Sequence, residues 1–134
     1  MSLVVLDASA AVEMLLHGSA GTEVRRRIVG HELHVPYLVE IEVAEALRNA
    51  VRRARLSPDR GRDALDDLAE LPIVPYPLGA LRERVWELGT NVTAYDAVYV
   101  ALAEALDAPL VTCDGRLARA PGLRARVELF AVDG

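Results

Sequence analysis

The sequence predicts a three-layer α/β/α domain built on a mainly parallel sheet. Two observations predict it. Short apolar runs of strand length alternate with longer stretches of helical periodicity along the whole chain. Strands separated by helices make a parallel sheet covered on both faces. The chain also has 134 residues, with no repeat, low-complexity tract or linker, so it reads as a single domain over 1–134.

The elements follow in order. Residues 3–6 form the first strand, and a short helix runs from Ser9 to Leu16. His17-Gly18-Ser19 breaks it, and a polar helix covers Gly21 to Val29. Leu33 to Val35 is a strand ended by Pro36, followed by a longer helix from Tyr37 to Ala54. Ser57-Pro58 supplies an N-cap and a first-turn proline for a helix reaching Leu71. Ile73 to Tyr76 is a strand between two prolines. Leu78, Leu81, Val85 and Leu88 recur at helical spacing, and Gly89 terminates that helix. Ala94 to Leu106 is the most apolar helix. A strand at 110–113, a short helix near 116–120 and a strand at 127–131 complete the chain.

Composition narrows the class. Hydrophobic residues make up 52% of the chain, enough for a core that needs no staple. The single cysteine, Cys113, excludes an internal disulfide and fits a reducing compartment. The apolar start is interrupted by Asp7 and Glu13 and lacks a positive flank, so it does not read as a signal peptide. No uncharged apolar run approaches the ~20 residues of a membrane span. A cytoplasmic protein with no membrane contact is the simple expectation. A net charge of −5 argues against broad nucleic-acid binding by the whole surface. All fifteen basic residues are arginine, which excludes any mechanism that requires lysine.

Four acids stand at chemically informative places: Asp7, Glu42, Asp96 and Asp114. Asp7 and Asp114 directly follow apolar runs. In an α/β fold such positions lie at the carboxyl edge of the sheet, where ligands bind. Each also suits a helix N-cap, and Asp96 suits the first turn of its helix. Glu42 shares a helical stripe with Glu45, Asn49 and Arg52, as a solvated face would. Taken together, the four can converge at one sheet edge. Carboxylates gathered there repel one another, which calls for a hard cation such as Mg²⁺ or Mn²⁺.

Four blocks carry a family resemblance. They are Val4-Val5-Leu6-Asp7-Ala8-Ser9-Ala10; Pro36-Tyr37-Leu38 with Glu42-Val43-Ala44 and Ala46-Leu47-Arg48; Thr93-Ala94-Tyr95-Asp96-Ala97-Val98-Tyr99-Val100-Ala101-Leu102-Ala103-Glu104; and Leu110-Val111-Thr112-Cys113-Asp114 followed by Arg116-Leu117-Ala118. In this order the chain resembles PIN-domain ribonucleases, specifically VapC-type toxins of bacterial toxin–antitoxin pairs. The resemblance spans essentially the whole chain. It implies that Asp7, Glu42, Asp96 and Asp114 are the catalytic, metal-binding quartet. It makes Ser9 and Thr112 the hydroxyls that orient carboxylates or water. It also implies an RNA substrate, a homodimer, and silencing by a VapB-like antitoxin whose C-terminal segment lies over the acidic pocket. A negative groove suits a cationic inhibitor. One departure is Glu45, where many relatives carry Asn.

The expected chemistry is hydrolysis of an RNA phosphodiester, for which a bound divalent ion neutralises charge and activates water. Basic residues should border the pocket. Arg48, Arg52 and Arg55 recur on the long helix, and Arg116 and Arg119 follow Asp114; of these Arg48, Arg52 and Arg116 are the candidates for phosphate contact. Cys113 reads as a buried strand residue, and His17, His31 and His34 as surface positions. A receiver domain is disfavoured because it needs a lysine. A haloacid-dehalogenase-like phosphatase is disfavoured because Asp7-Ala8-Ser9 offers no second aspartate. A PIN nuclease of RNA maturation without an antitoxin, and an inactive PIN-fold binding module, are the alternatives.

Overall fold

The computed structural model describes residues 2–132. Five strands form one sheet: β1 (Leu3–Leu6), β2 (Glu32–Pro36), β3 (Ile73–Tyr76), β4 (Leu110–Thr112) and β5 (Val127–Leu129). Their order is β3-β2-β1-β4-β5, and every neighbouring pair is parallel. Seven α-helices connect them: α1 (Ala8–Leu15), α2 (Gly21–Ile28), α3 (Leu38–Arg52), α4 (Pro58–Glu70), α5 (Arg82–Leu88), α6 (Ala94–Leu106) and α7 (Gly115–Ala118).

The strand order explains where a site can form. From β1 the chain moves outward to β2 and β3. It then crosses back to β4, on the other side of β1, and ends at β5. Right-handed crossovers in opposite directions put their helices on opposite faces of the sheet. Helices α1, α2, α3 and α4 pack among themselves, whereas α6 pairs with α5 and lies across β1, β2 and β4. The direction reverses between β1 and β4, so a crevice opens beyond the carboxyl ends of these two strands. Asp7 and Asp114 follow those two ends.

Local chemistry sets the element ends. Ser57 Oγ accepts from the Arg60 amide at 3.1 Å, and Pro58 opens α4. Thr93 Oγ1 accepts from the Asp96 amide at 3.1 Å at the start of α6. Gly89, at φ +53°, ends α5 in a conformation that a side chain would strain. Three boundaries are shorter than the apolar pattern suggests. The 78–88 segment opens with a separate 3₁₀ turn at Gly79–Leu81. The long helix stops at Arg52 because Ala54 turns to φ +56°. The last strand ends at Leu129, although the Phe130 amide still reaches Thr112 O at 2.9 Å.

The core is aliphatic. Val4, Val5 and Leu6 are buried on both faces of the sheet, and seven consecutive residues of α6, Ala97–Ala103, are buried with them. The α5–α6 pair is clamped at its edge. Arg84 donates to both oxygens of Glu104, at 2.6 and 3.2 Å, and the Arg124 amide reaches Glu104 Oε2 at 2.7 Å. Burial pushes the Glu104 carboxyl up, but these bonds outweigh it and hold the group below its ordinary range. No helix among the described residues is long and apolar enough to cross a membrane.

Candidate active site

Asp7 is held by three hydrogen bonds. It is 4% exposed. Its Oδ1 accepts from the Ala10 amide at 2.9 Å and from Ser9 Oγ at 2.7 Å, and its Oδ2 accepts from Thr112 Oγ1 at 2.5 Å. Thr112 Oγ1 also accepts from the Asp114 amide at 3.0 Å, and Ser9 Oγ accepts from the Cys113 amide at 3.0 Å. One network therefore ties the end of β1 to the end of β4. Asp114 caps α7 through a 2.9 Å bond from the Arg116 amide to Oδ1. Capping and pocket lining are thus compatible uses of the same carboxylates.

Asp7, Glu42, Asp96 and Asp114 line one cavity of about 410 Å³. Ser9, Glu13, Tyr99 and Cys113 line it too. The acids come from four places in the chain: the β1 end, α3, the first turn of α6, and the β4 end. Their charges interact. Burial raises the Asp7 carboxyl above its ordinary range, against the hydrogen bonds that favour its ionised form, and Asp96 raises it further. Burial raises Glu42, and Asp96 and Asp7 add to the shift. Burial raises Asp96, Asp114 adds to it, and Thr93 and Arg116 oppose it.

Glu42 differs from Asp7 in being poorly held. Its Oε1 is buried without a hydrogen-bond partner among the described residues. The hydroxyl of Tyr99, on α6, is likewise buried and unpartnered. The two groups are near enough for Glu42 to raise the Tyr99 phenol and for Tyr99 to favour the ionised Glu42, yet no properly aligned bond closes between them. Among the described residues no three acids are drawn tightly enough together to grip one metal ion. The donor set is nevertheless all oxygen and carries an orphaned carboxylate oxygen, which fits a hard divalent cation.

The arginines divide. Arg116 is exposed, 3.9 Å from Asp114, and lines a smaller cavity with Asp96, Thr90, Asn91 and Thr93. Arg48 and Arg52 instead line a groove of about 390 Å³ between α3 and α4, with Leu47, Val51 and Leu65. At about 100° per residue, position 48 lies about 120° around the helix from Glu42 and position 52 about 80°. Arg52 is engaged locally, by Asn49 and by Glu45 at 3.8 Å. Glu45 is exposed beside Glu42 in a third groove.

Two sequence expectations change. Cys113 lies just past β4 and is half-buried at the cavity wall. Burial, then Asp7 and Glu13, push its thiol up to about 12, which disfavours the thiolate form. His34 is buried within β2, where its ring bonds Tyr76 Oη at 2.6 Å and Glu32 at 3.1 Å; it is not a surface residue. Tyr99 escaped notice because it resembles one more core position on an apolar helix. Its spacing, three residues after Asp96, is the signal that places both on one face.

The comparisons with known proteins bear on this geometry. The model of the PIN domain family matches residues 4–123. The chain belongs to the PIN domain family. This PIN domain is 43% identical to Ribonuclease VapC12 of Mycobacterium tuberculosis over 129 residues, which is 96% of the chain and all of the relative. It is 47% identical to Ribonuclease VapC9 of the same species over 115 residues, covering 86% of the chain and 88% of the relative. Its fold is similar to that in the structure of DNA-bound VapBC from Salmonella typhimurium. The TM-score is 0.67 at 18% identity, covering 98% of this chain and all of the other.

Proposed function

We propose that this PIN domain is a metal-dependent endoribonuclease toxin that cleaves RNA and is silenced by a VapB-like antitoxin. The observation that carries the proposal is the meeting of four carboxylates from four distant segments in one cavity at the β1–β4 reversal. Curated relatives that are ribonucleases of the VapC kind over nearly the whole chain support it.

In this assignment Asp7, Glu42, Asp96 and Asp114 would hold Mg²⁺ or Mn²⁺. The bound ion supplies charge neutralisation at the phosphodiester and a lower pKa for the attacking water. Ser9 and Thr112 fix Asp7 through 2.7 and 2.5 Å bonds, so its oxygens present their remaining lone pairs in a set direction. Arg116, exposed at the rim, offers its guanidinium to a backbone phosphate. Arg48 and Arg52 border the separate groove between α3 and α4.

The antitoxin is the partner that the VapC likeness implies, and the solved VapBC neighbour supports it at the level of fold. A homodimer and a cytoplasmic site of action belong to the same proposal. The test is cleavage of total RNA by purified protein with Mg²⁺ or Mn²⁺, beside Asp96→Asn. Metal-dependent cleavage lost in a folded Asp96→Asn is expected. Equal cleavage by both proteins would sink the assignment. A neighbouring gene for a small DNA-binding protein separates a toxin from a nuclease of RNA maturation.

A further inference from the structure

We infer that Tyr99 is a positioning residue for Glu42, a role that rests on the metal-dependent site proposed above. The structural basis is two orphaned oxygens in one wall of the acid cavity. Tyr99 is 1% exposed, and its hydroxyl has no hydrogen-bond partner among the described residues. Glu42 Oε1 is buried and has none either. Both residues line the cavity with Asp7 and Asp96.

Unpartnered buried polar atoms are uncommon, and each destabilises the fold. A phenylalanine would fill the same space within α6 without that cost. The hydroxyl therefore has a use the resting packing does not reveal. Its neighbour identifies the use. Asp7 is fixed by three hydrogen bonds and Asp114 by one. Glu42 reaches the cavity from α3 on a longer side chain, with nothing holding Oε1. A phenol donates one hydrogen bond, and an ionised carboxylate accepts it. Tyr99 gripping Oε1 would fix the carboxylate that lines the cavity beside Asp7 and Asp96. Tyr99 follows Asp96 by three residues, so one face of α6 carries both an acid and the group that orients its opposite number on α3.

The test is Tyr99→Phe in the full chain, with Mn²⁺ as the probe. Three measurements are made: melting without metal, Mn²⁺ affinity by calorimetry, and RNA cleavage as a function of Mn²⁺. The variant should melt at the wild-type temperature or above it. Its Mn²⁺ affinity should fall about three- to tenfold, and half-maximal cleavage should need correspondingly more Mn²⁺ while the plateau stays near wild type. Unchanged Mn²⁺ affinity overturns the role, whatever happens to melting. A lower plateau at an unchanged half-saturating concentration overturns it as well, because that pattern marks disturbed packing. Wild-type protein that binds no Mn²⁺ overturns the metal site itself and the Tyr99 role with it.

Discussion

Thr112 Oγ1 stands 2.5 Å from Asp7 Oδ2, joining two buried residues separated by 105 positions in the chain. The bond crosses the point where the sheet reverses direction. It serves the fold and the cavity together, because it fixes β4 beside β1 and aims the carboxylate.

Thr112→Val keeps the shape and removes the donor. The buried Asp7 then loses one of its three bonds. Stability should fall by about 1–3 kcal/mol in urea unfolding. RNA cleavage should fall as well, since Asp7 is freed to rotate. A variant of unchanged stability would mean that the bond does not operate in solution.

Removing charge from the cavity should do the opposite. Glu42→Gln and Asp96→Asn each relieve a carboxylate that burial and its neighbours hold above the ordinary range. Both variants should melt higher than wild type without metal, and cleavage should drop by roughly a hundredfold or more. Lower melting would show that these acids stabilise the resting fold. Asp7→Asn should behave differently and melt lower, because an amide cannot accept all three bonds that Asp7 accepts.

Mg²⁺ or Mn²⁺ should raise the melting temperature by mass action. At ten times the dissociation constant, the gain is about 1.4 kcal/mol. The gain should vanish in Asp96→Asn. A wild-type melt indifferent to millimolar metal would count against the site.

Two opposed trends should appear with pH. Asp7, Glu42 and Asp96 have folded-state pKa values above their unfolded ones. Such acids burden the fold when ionised, so stability should rise as pH falls from neutral through their folded values. Glu104 is the reverse case. Its folded value is depressed by Arg84, so its contribution is present above about pH 4–5 and is lost as pH falls below that. Melting curves in the absence of metal should pass through a maximum on the acid side of neutrality. Glu104→Gln should flatten the acid limb alone; a limb unmoved by this change would place its origin elsewhere.

The readable parts of the molecule were those governed by short-range rules. Ser57-Pro58, Thr93 and Gly89 announce helix ends through chemistry within a few residues. Asp7 and Asp114 announce the sheet edge because each follows an apolar run. Glu42 needed its companions, since a glutamate on a helix stripe looks like any solvated face. Placing Arg48 and Arg52 depends on the phase of α3. They lie on the same helix as Glu42, but only the packing of α4 shows which way each face turns. His34 looked like a surface group because nothing local reveals that Tyr76, on another strand, receives it. Tyr99 was hidden for a related reason: its neighbours in sequence are all core.

The origin of the cavity in both halves of the chain bears on how the protein is made. Asp7, Glu13 and Glu42 precede Asp96, Thr112 and Asp114 in the chain, so they are synthesised first. A nascent chain lacking β4 has no Thr112 to aim Asp7 and no Asp114 to complete the set. The acid cavity therefore cannot assemble on the ribosome until β4 and the residues just after it have been made and released to fold.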